Sequence, residues 1–333
     1  MPINIIAEIG VNHNGNLDLA LELIDEAKLA GADTVKFQSF KADTLATVGA
    51  KKANYQLEID ANETQYQMLK RLELSEEMHH KIIEHCDRRG IEVLFSPFDI
   101  DDVIFLNKLG LKSFKIPSGE IVNVPYLRMI GKVAEKVIIS TGMSTSNEIK
   151  FALSILIGEK KLDKSNIVLL HCTTEYPAPL HEVNLKAITT LKAQFGNKVG
   201  YSDHTKGVEA AIAAAALGAC VIEKHFTLNN NFSGPDHKAS MEPGLFKEMV
   251  SGIRKVESAL GDGLKKPTES ELKNILAVRK FIVAKAKIQK GELLTSRNIV
   301  GKRSVKGIPI SLWDNVIGKP AIRNFNIDEN IEI

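Results

Sequence analysis

Eight short apolar runs, each followed by a stretch with helical periodicity, fill the first three quarters of this 333-residue chain. They lie near residues 5–9, 34–40, 92–98, 113–118, 136–141, 167–173, 198–204 and 220–226. Runs of this length, bounded by turn signals and alternating with helical patterns, read as parallel strands joined by helical crossovers. Such crossovers are right-handed and bring all strand ends of one polarity to one edge. Eight units ending near residue 260 match a (β/α)8 barrel in both count and length. A doubly wound open sheet would use fewer strands and a G-x-G-x-x-G turn, and no such turn follows any of the runs.

Helix boundaries are readable locally. Asn16 caps a helix with Ala20, Leu21, Ile24 and Ala27 on one face, closed by Gly31; Ser75 opens another that Gly90 ends. Further helices are expected near 100–109, 124–134, 146–158, 183–195, 208–217 and 244–260, with a polar, partly helical excursion over 41–74. The Gly261-Asp-Gly-Leu-Lys-Lys-Pro267 stretch breaks the pattern. The expected organisation is a catalytic barrel over 1–262, a linker over 263–277 with a short helix from Glu269, and a small strand-rich domain over 278–333. Some 55 residues give the last a marginal core alone, so packing against the barrel or against another subunit is expected.

Composition narrows the function. Charged residues are 25% and the formal net charge is +2, with no basic cluster carrying interleaved aromatics, so nucleic acid and membrane surfaces are poor partners. No run is long enough to span a bilayer. Met1-Pro2 leads straight into a strand without a basic leader, and Cys86, Cys172 and Cys220 are far apart in apolar or helical settings. The expectation is a cytoplasmic protein with reduced thiols.

In a barrel of this kind chemistry sits at the C-terminal strand ends. Glu8, Lys36 with Gln38, Ser96, Lys115 with Ser118 and Glu120, Ser140, Thr174 with Tyr176, Ser202 with His204, and Glu223 with His225 all fall there. Period-two alternation places Ser202 and His204 on one face of the seventh strand, and Glu223 and His225 on one face of the eighth. Two neutral imidazoles beside a carboxylate suit a borderline divalent ion such as Mn²⁺ or Zn²⁺; the alternative is a pair of core histidines bonded to carbonyls. Lys36, Lys115 and the serine hydroxyls form a cationic, donor-rich bowl suited to phosphate, with the carboxylates beside it. Phosphate held next to a polarised carbonyl points to joining a phosphorylated carbon nucleophile to an aldehyde. A Schiff-base aldolase using Lys36 or Lys115 is a second reading.

Several of these stretches together resemble bacterial sialic acid synthases: Ile6-Ala-Glu-Ile-Gly-Val-Asn-His-Asn-Gly15, Val35-Lys-Phe-Gln38, Lys115-Ile-Pro-Ser-Gly-Glu120, Ser140-Thr-Gly-Met143, His171-Cys-Thr-Thr-Glu-Tyr-Pro177, Tyr201-Ser-Asp-His204, Ile222-Glu-Lys-His-Phe-Thr227 and Ser233-Gly-Pro-Asp-His237. The resemblance covers essentially the whole chain. It implies condensation of phosphoenolpyruvate with an N-acylated mannosamine-type sugar, with release of phosphate. It implies a divalent ion, Mn²⁺ first with Mg²⁺ or Co²⁺ as alternatives, on His204 and His225. Lys36, Ser96, Lys115, Ser118, Ser140, Thr174 and Ser202 would bind phosphoenolpyruvate; Gln38, Glu120, Tyr176 and Asp236 would line the sugar site. Glu8 would transfer a proton or orient water, and Glu223 would hold a metal-bound water. The C-terminal domain would be antifreeze-like and lie over the partner's barrel in a homodimer, with Arg303 reaching the sugar's N-acyl group. Thr174 stands where some members carry asparagine, and Ser304 where proline is common. Residues 51–74 resemble a branch holding both N-acetylneuraminate and legionaminate synthases. N-acetylmannosamine is the first expected acceptor and 2,4-diacetamido-2,4,6-trideoxymannose the second. Related chains also occur as coat or polysaccharide-associated proteins without activity.

Overall fold

The computed structural model describes residues 2–52, 63–159 and 161–333. It divides into two compact units, Met1–Gly261 and Asp262–Ile333.

The first unit is a closed barrel of eight parallel strands in sequence order: β1 (Asn4–Gly10), β2 (Thr34–Ser39), β3 (Glu92–Pro97), β4 (Ser113–Ile116), β5 (Lys136–Ser140), β6 (Ile167–Cys172), β7 (Lys198–Asp203) and β8 (Val221–His225). Its outer helices are α1 (Leu17–Leu29), α2 (Glu76–Arg89), α3 (Ile100–Lys108), α4 (Val124–Val133), α5 (Ser146–Gly158), α6 (Ala187–Phe195), α7 (Glu209–Ala216) and α8 (Pro243–Leu260). Asn16, Ser75, Asp99 and Thr145 cap α1, α2, α3 and α5 by accepting backbone N–H bonds, which satisfies donors that a helix start leaves open.

The strands are apolar on both faces, as a sheet covered by helices requires. Outward residues such as Ile5, Val35, Phe37, Phe95, Phe114 and Ile139 join the main core under the helices. Inward residues Ile6, Leu94, Ile138, Val168, Leu170 and Val221 form a separate plug inside the barrel. Gly200 belongs to this plug: a Cβ there would lie 2.6 Å from Leu170 Cδ2 and 2.5 Å from the Val221 carbonyl oxygen. Two residues along the same inward rows the chemistry changes, from Ile6 to Glu8, Leu94 to Ser96, Ile138 to Ser140 and Val221 to Glu223. An apolar floor therefore carries a polar layer facing the C-terminal mouth.

Several boundaries differ from the sequence expectation. Pro117, which has no N–H for a ladder, ends β4 at Ile116, and Ser118–Glu120 turns as a 3-10 helix. The helix expected over 183–195 begins at Ala187, because Asn184, after the Leu180–Glu182 3-10 turn, takes a left-handed φ of 47° that no right-handed helix can include. In α1, Leu23 is buried and Leu21 only partly so. The excursion after β2 holds the helices Ala42–Leu45 and Gln65–Leu72; the part of it over 53–62 lies outside the described residues.

The second unit carries α9 (Glu269–Val278), with a Thr268–Glu271 capping box, and one antiparallel pair, β9 (Lys280–Ala284) with β10 (Ile299–Arg303). The rest of the strand-rich domain expected over 278–333 reduces to isolated bridges such as Ile288 to Phe325 and Val283 to Asn330. Ile282, Ile288, Leu294, Ile299, Val316 and Phe325 nevertheless bury a core of their own. Among the described residues, no helix is long and apolar enough to cross a membrane.

Candidate active site

The barrel residues expected at the site, from Glu8 to Asp236, all line one cavity of about 370 Å³ at the C-terminal mouth. Arg303 belongs to the second unit, an exposed residue at the end of β10.

The cavity floor is an ion-pair network. Lys36 Nζ lies 2.8 Å from Glu223 Oε2 and 3.3 Å from Glu8 Oε2, and Lys115 Nζ lies 3.4 Å from Glu223 Oε1. All four side chains are almost fully buried. The bowl expected to be cationic, with carboxylates beside it, is thus charge-balanced and interleaved. Buried cations need such partners, because burial without them costs several kcal/mol per ion. Burial opposes the charge on Lys36, but Glu223 and Glu8 outweigh it and raise its proton affinity. For Glu223 burial is outweighed by Lys115 and Lys36, and its carboxylate stays ionised. Burial pushes Glu8 up to about 7, against the pull of Lys36. Burial pulls Lys115 down to about 8 although Glu223 opposes it, so this ammonium has the most to gain from an incoming anion.

Hydroxyls ring this floor. Ser118 Oγ accepts from the Gly142 N–H at 3.1 Å, which leaves its own proton free to donate elsewhere. Gly142 is glycine for want of room: a Cβ would sit 2.2 Å from Thr174 Oγ1 and 2.8 Å from Ser118 Oγ. Thr174 Oγ1 is buried without a hydrogen-bond partner. Cys172 Sγ lies 3.5 Å from Ser118 Oγ, beside the hydroxyls and under the mouth. Gln38 Nε2 reaches Glu8 Oε1 at 3.5 Å, and Asn123 donates to Glu120 at 2.6 Å.

The two histidines meet. Their ring centroids are 5.5 Å apart, and Tyr176 stacks on His204 at 4.2 Å while meeting His225 edge-on at 5.4 Å. His204 Nδ1 is 2.6 Å from the Thr173 carbonyl, which can only accept, so Nδ1 carries the proton and Nε2 a lone pair. Nε2 lies 3.2 Å from Ser202 Oγ, whose single proton is donated to Glu223 Oε1 at 2.8 Å. That lone pair is left without a donor. Burial pulls His204 down to about 4 and His225 well below the ordinary imidazole value, so both rings are neutral near pH 7. Asp236 Oδ2 is 3.9 Å from His225 Nδ1, with its carboxyl pushed up to about 6 by burial. Among the described residues no three His, Cys, Asp or Glu side chains cluster as a ligand set. Two neutral imidazoles, one with an unanswered lone pair, fit a divalent ion whose other positions go to water and substrate.

Sequence reasoning did not find one side of the cavity. Leu45, Gln65, Leu69 and Phe98 line it as well. Gln65 and Leu69 are four apart on the helix Gln65–Leu72 and share a face, a spacing present in the sequence whose target only the fold supplies.

The sequence profile of the NeuB family matches residues 23–265. The chain is 53% identical to the N,N'-diacetyllegionaminic acid synthase of Campylobacter jejuni subsp. jejuni serotype O:2, over 98% of both chains. It is 46% identical to the enzyme of the same name from Legionella pneumophila subsp. pneumophila, over 97% of this chain and 91% of that one. A crystal structure of N-acetylneuraminic acid synthetase from Leptospira borgpetersenii serovar Hardjo-bovis, in complex with citrate, superposes with a TM-score of 0.73. It is 33% identical, over 83% of this chain and 90% of that one. The eight-stranded barrel, the charged mouth and these likenesses agree: the chain belongs to the NeuB family of sialic and legionaminic acid synthases.

Proposed function

We propose that the protein is an N,N'-diacetyllegionaminic acid synthase, joining phosphoenolpyruvate to 2,4-diacetamido-2,4,6-trideoxymannose with release of phosphate. Its reaction class is that of its family, phosphoenolpyruvate-dependent nonulosonate synthesis. The observation that carries the acceptor is a gradient of likeness: 53% and 46% identity to two legionaminic acid synthases, against 33% to a sialic acid synthetase. It reverses the order expected from the motifs, which put N-acetylmannosamine first.

The side chains divide the work by charge and proton. Lys36 and Lys115 oppose the phosphate and carboxylate charges of phosphoenolpyruvate, with Glu223 holding both ammonium groups in place. Ser96, Ser118, Ser140 and Thr174 supply direction through hydroxyl donors, and Ser202, whose proton is donated to Glu223, borders phosphoenolpyruvate beside them. Glu8, with a carboxyl that exchanges its proton near neutrality, suits proton transfer or the orientation of a water. Gln38, Glu120, Tyr176 and Asp236 face the acceptor. His204 and His225 would hold a divalent ion, Mn²⁺ first with Mg²⁺ or Co²⁺ as alternatives, and the bound ion would polarise the acceptor's aldehyde. The remaining parts of the reading come from the family resemblance: a cytoplasmic homodimer, an antifreeze-like second unit, and Arg303 offered to the partner's barrel.

The test is phosphate release from phosphoenolpyruvate with Mn²⁺ and each sugar in turn, followed by the product's mass. The diacetamido sugar is expected to give the higher kcat/KM. A higher value with N-acetylmannosamine overturns the acceptor; phosphate release with neither overturns the reaction.

A further inference from the structure

The cavity is asymmetric in a way the reaction itself does not demand. Its charged groups stand on the strands themselves, Glu8 on β1, Lys36 on β2, Lys115 on β4 and Glu223 on β8, with the two histidines at the ends of β7 and β8. The segments that follow β2 and β3 line it differently, with Leu45, Leu69 and Phe98. In the helix Gln65–Leu72, Met68 and Leu72 are buried in a small apolar cluster with Val11 and Phe40. Leu45, Leu69 and Phe98 pack on that cluster from above, and Phe98 meets Phe40 edge-on at 6.0 Å. This side of the mouth is thus a supported apolar surface with one carboxamide, Gln65, four residues before Leu69 on the same helical face.

We infer that Leu45, Leu69 and Phe98, with the Gln65 carboxamide, are the specificity surface that reads the end of the acceptor remote from its aldehyde. The inference rests on the acceptor proposed above. β3 lies across the barrel from β7, so an open-chain sugar with its aldehyde at His204 and His225 extends its far carbons toward Phe98 and the Gln65–Leu72 helix. The two candidate acceptors differ at that end. One carries hydroxyls at carbons 4 and 6; the other carries an acetamido group and a methyl. An apolar wall gains from burying a methyl and offers no partner to a hydroxyl, which is then desolvated without compensation. The carboxamide supplies both a donor and an acceptor for an acetamido group.

Leu69→Asn and Leu45→Asn, on two separate elements, test this with both acceptors at saturating phosphoenolpyruvate. The readout is the ratio of the two kcat/KM values, which does not depend on how much of a variant is folded. Wild type is expected to favour the diacetamido sugar, and each variant to lower that ratio at least about tenfold, the range of a methyl-sized change in a pocket. The KM for phosphoenolpyruvate is expected to stay within about twofold, because such a change leaves the lysines and hydroxyls alone. A wild-type preference for N-acetylmannosamine overturns the acceptor and this role together. A wild-type preference for the diacetamido sugar that both variants keep unchanged overturns this role and leaves the acceptor standing.

Discussion

Buried charge in the barrel comes in two kinds, and single side chains show the difference. Lys224 Nζ lies 2.8 Å from Asp203 Oδ2, and Asp203 also accepts from Tyr201 and Thr205, so this charge behind the site is fully answered. Asp102 is not. It is buried at the start of α3 with weak donors, Ser39 Oγ at 3.4 Å and the Phe98 backbone N–H, and its Oδ2 has no partner within hydrogen-bond geometry. Burial, with Asp99 nearby, pushes its carboxyl from 3.8 up to about 7. The folded chain therefore holds this proton more tightly than the unfolded chain, and stability falls as pH rises from about 4 to 7. Asp102→Asn removes that cost. We expect it to unfold at higher denaturant than wild type at pH 8, by roughly 2–4 kcal/mol at about 1.4 kcal/mol per tenfold in proton affinity. The gap should close toward pH 4; a variant less stable at pH 8 would contradict the assignment. The sequence shows two adjacent acids at a helix start. Which one is buried depends on how α3 meets its neighbours, and no local rule reports that.

At the scale of elements, the strands carry the site by alternation. Glu8, Ser96, Ser140 and Glu223 each stand two residues beyond an apolar residue of the barrel plug, so the positions were legible once the strands were. The loops were less so. Gly142 reads as an ordinary turn glycine, yet its N–H holds Ser118 and its missing Cβ admits Thr174. Gly142→Ala should displace both hydroxyls. We expect the KM for phosphoenolpyruvate to rise about tenfold or more, the loss of one or two hydrogen bonds to a charged group. The unfolding midpoint should move little, because the new methyl meets rotatable side-chain ends. An unchanged KM would remove Ser118 and Thr174 from the phosphoenolpyruvate site. The β2–α2 excursion was legible as partly helical, but the cavity face of Gln65 and Leu69 was not, since a helical stripe does not name what it faces.

For the whole molecule, each unit buries its own core, and the proposed homodimer places Arg303 in the partner's site. This predicts complementation in trans. Mixing His204→Ala with Arg303→Ala, each inactive alone, should restore about a quarter of wild-type activity: half of randomly re-paired dimers are mixed, and one of their two sites is intact. No recovery after subunit exchange confirmed by mass would show that Arg303 does not act across an interface. What the sequence by itself determined is whatever is local or periodic: eight strand–helix units, their caps, and which residue of each strand reaches the mouth. Those follow from a two-residue and a 3.6-residue repeat, which need no knowledge of neighbours. Only the tertiary structure decided that the lysines arrive already paired with carboxylates, that one carboxyl rises toward neutrality while its neighbour stays ionised, and that one side of the mouth is apolar. Those are properties of distance and burial between residues far apart in the chain, and closing the barrel is what sets them.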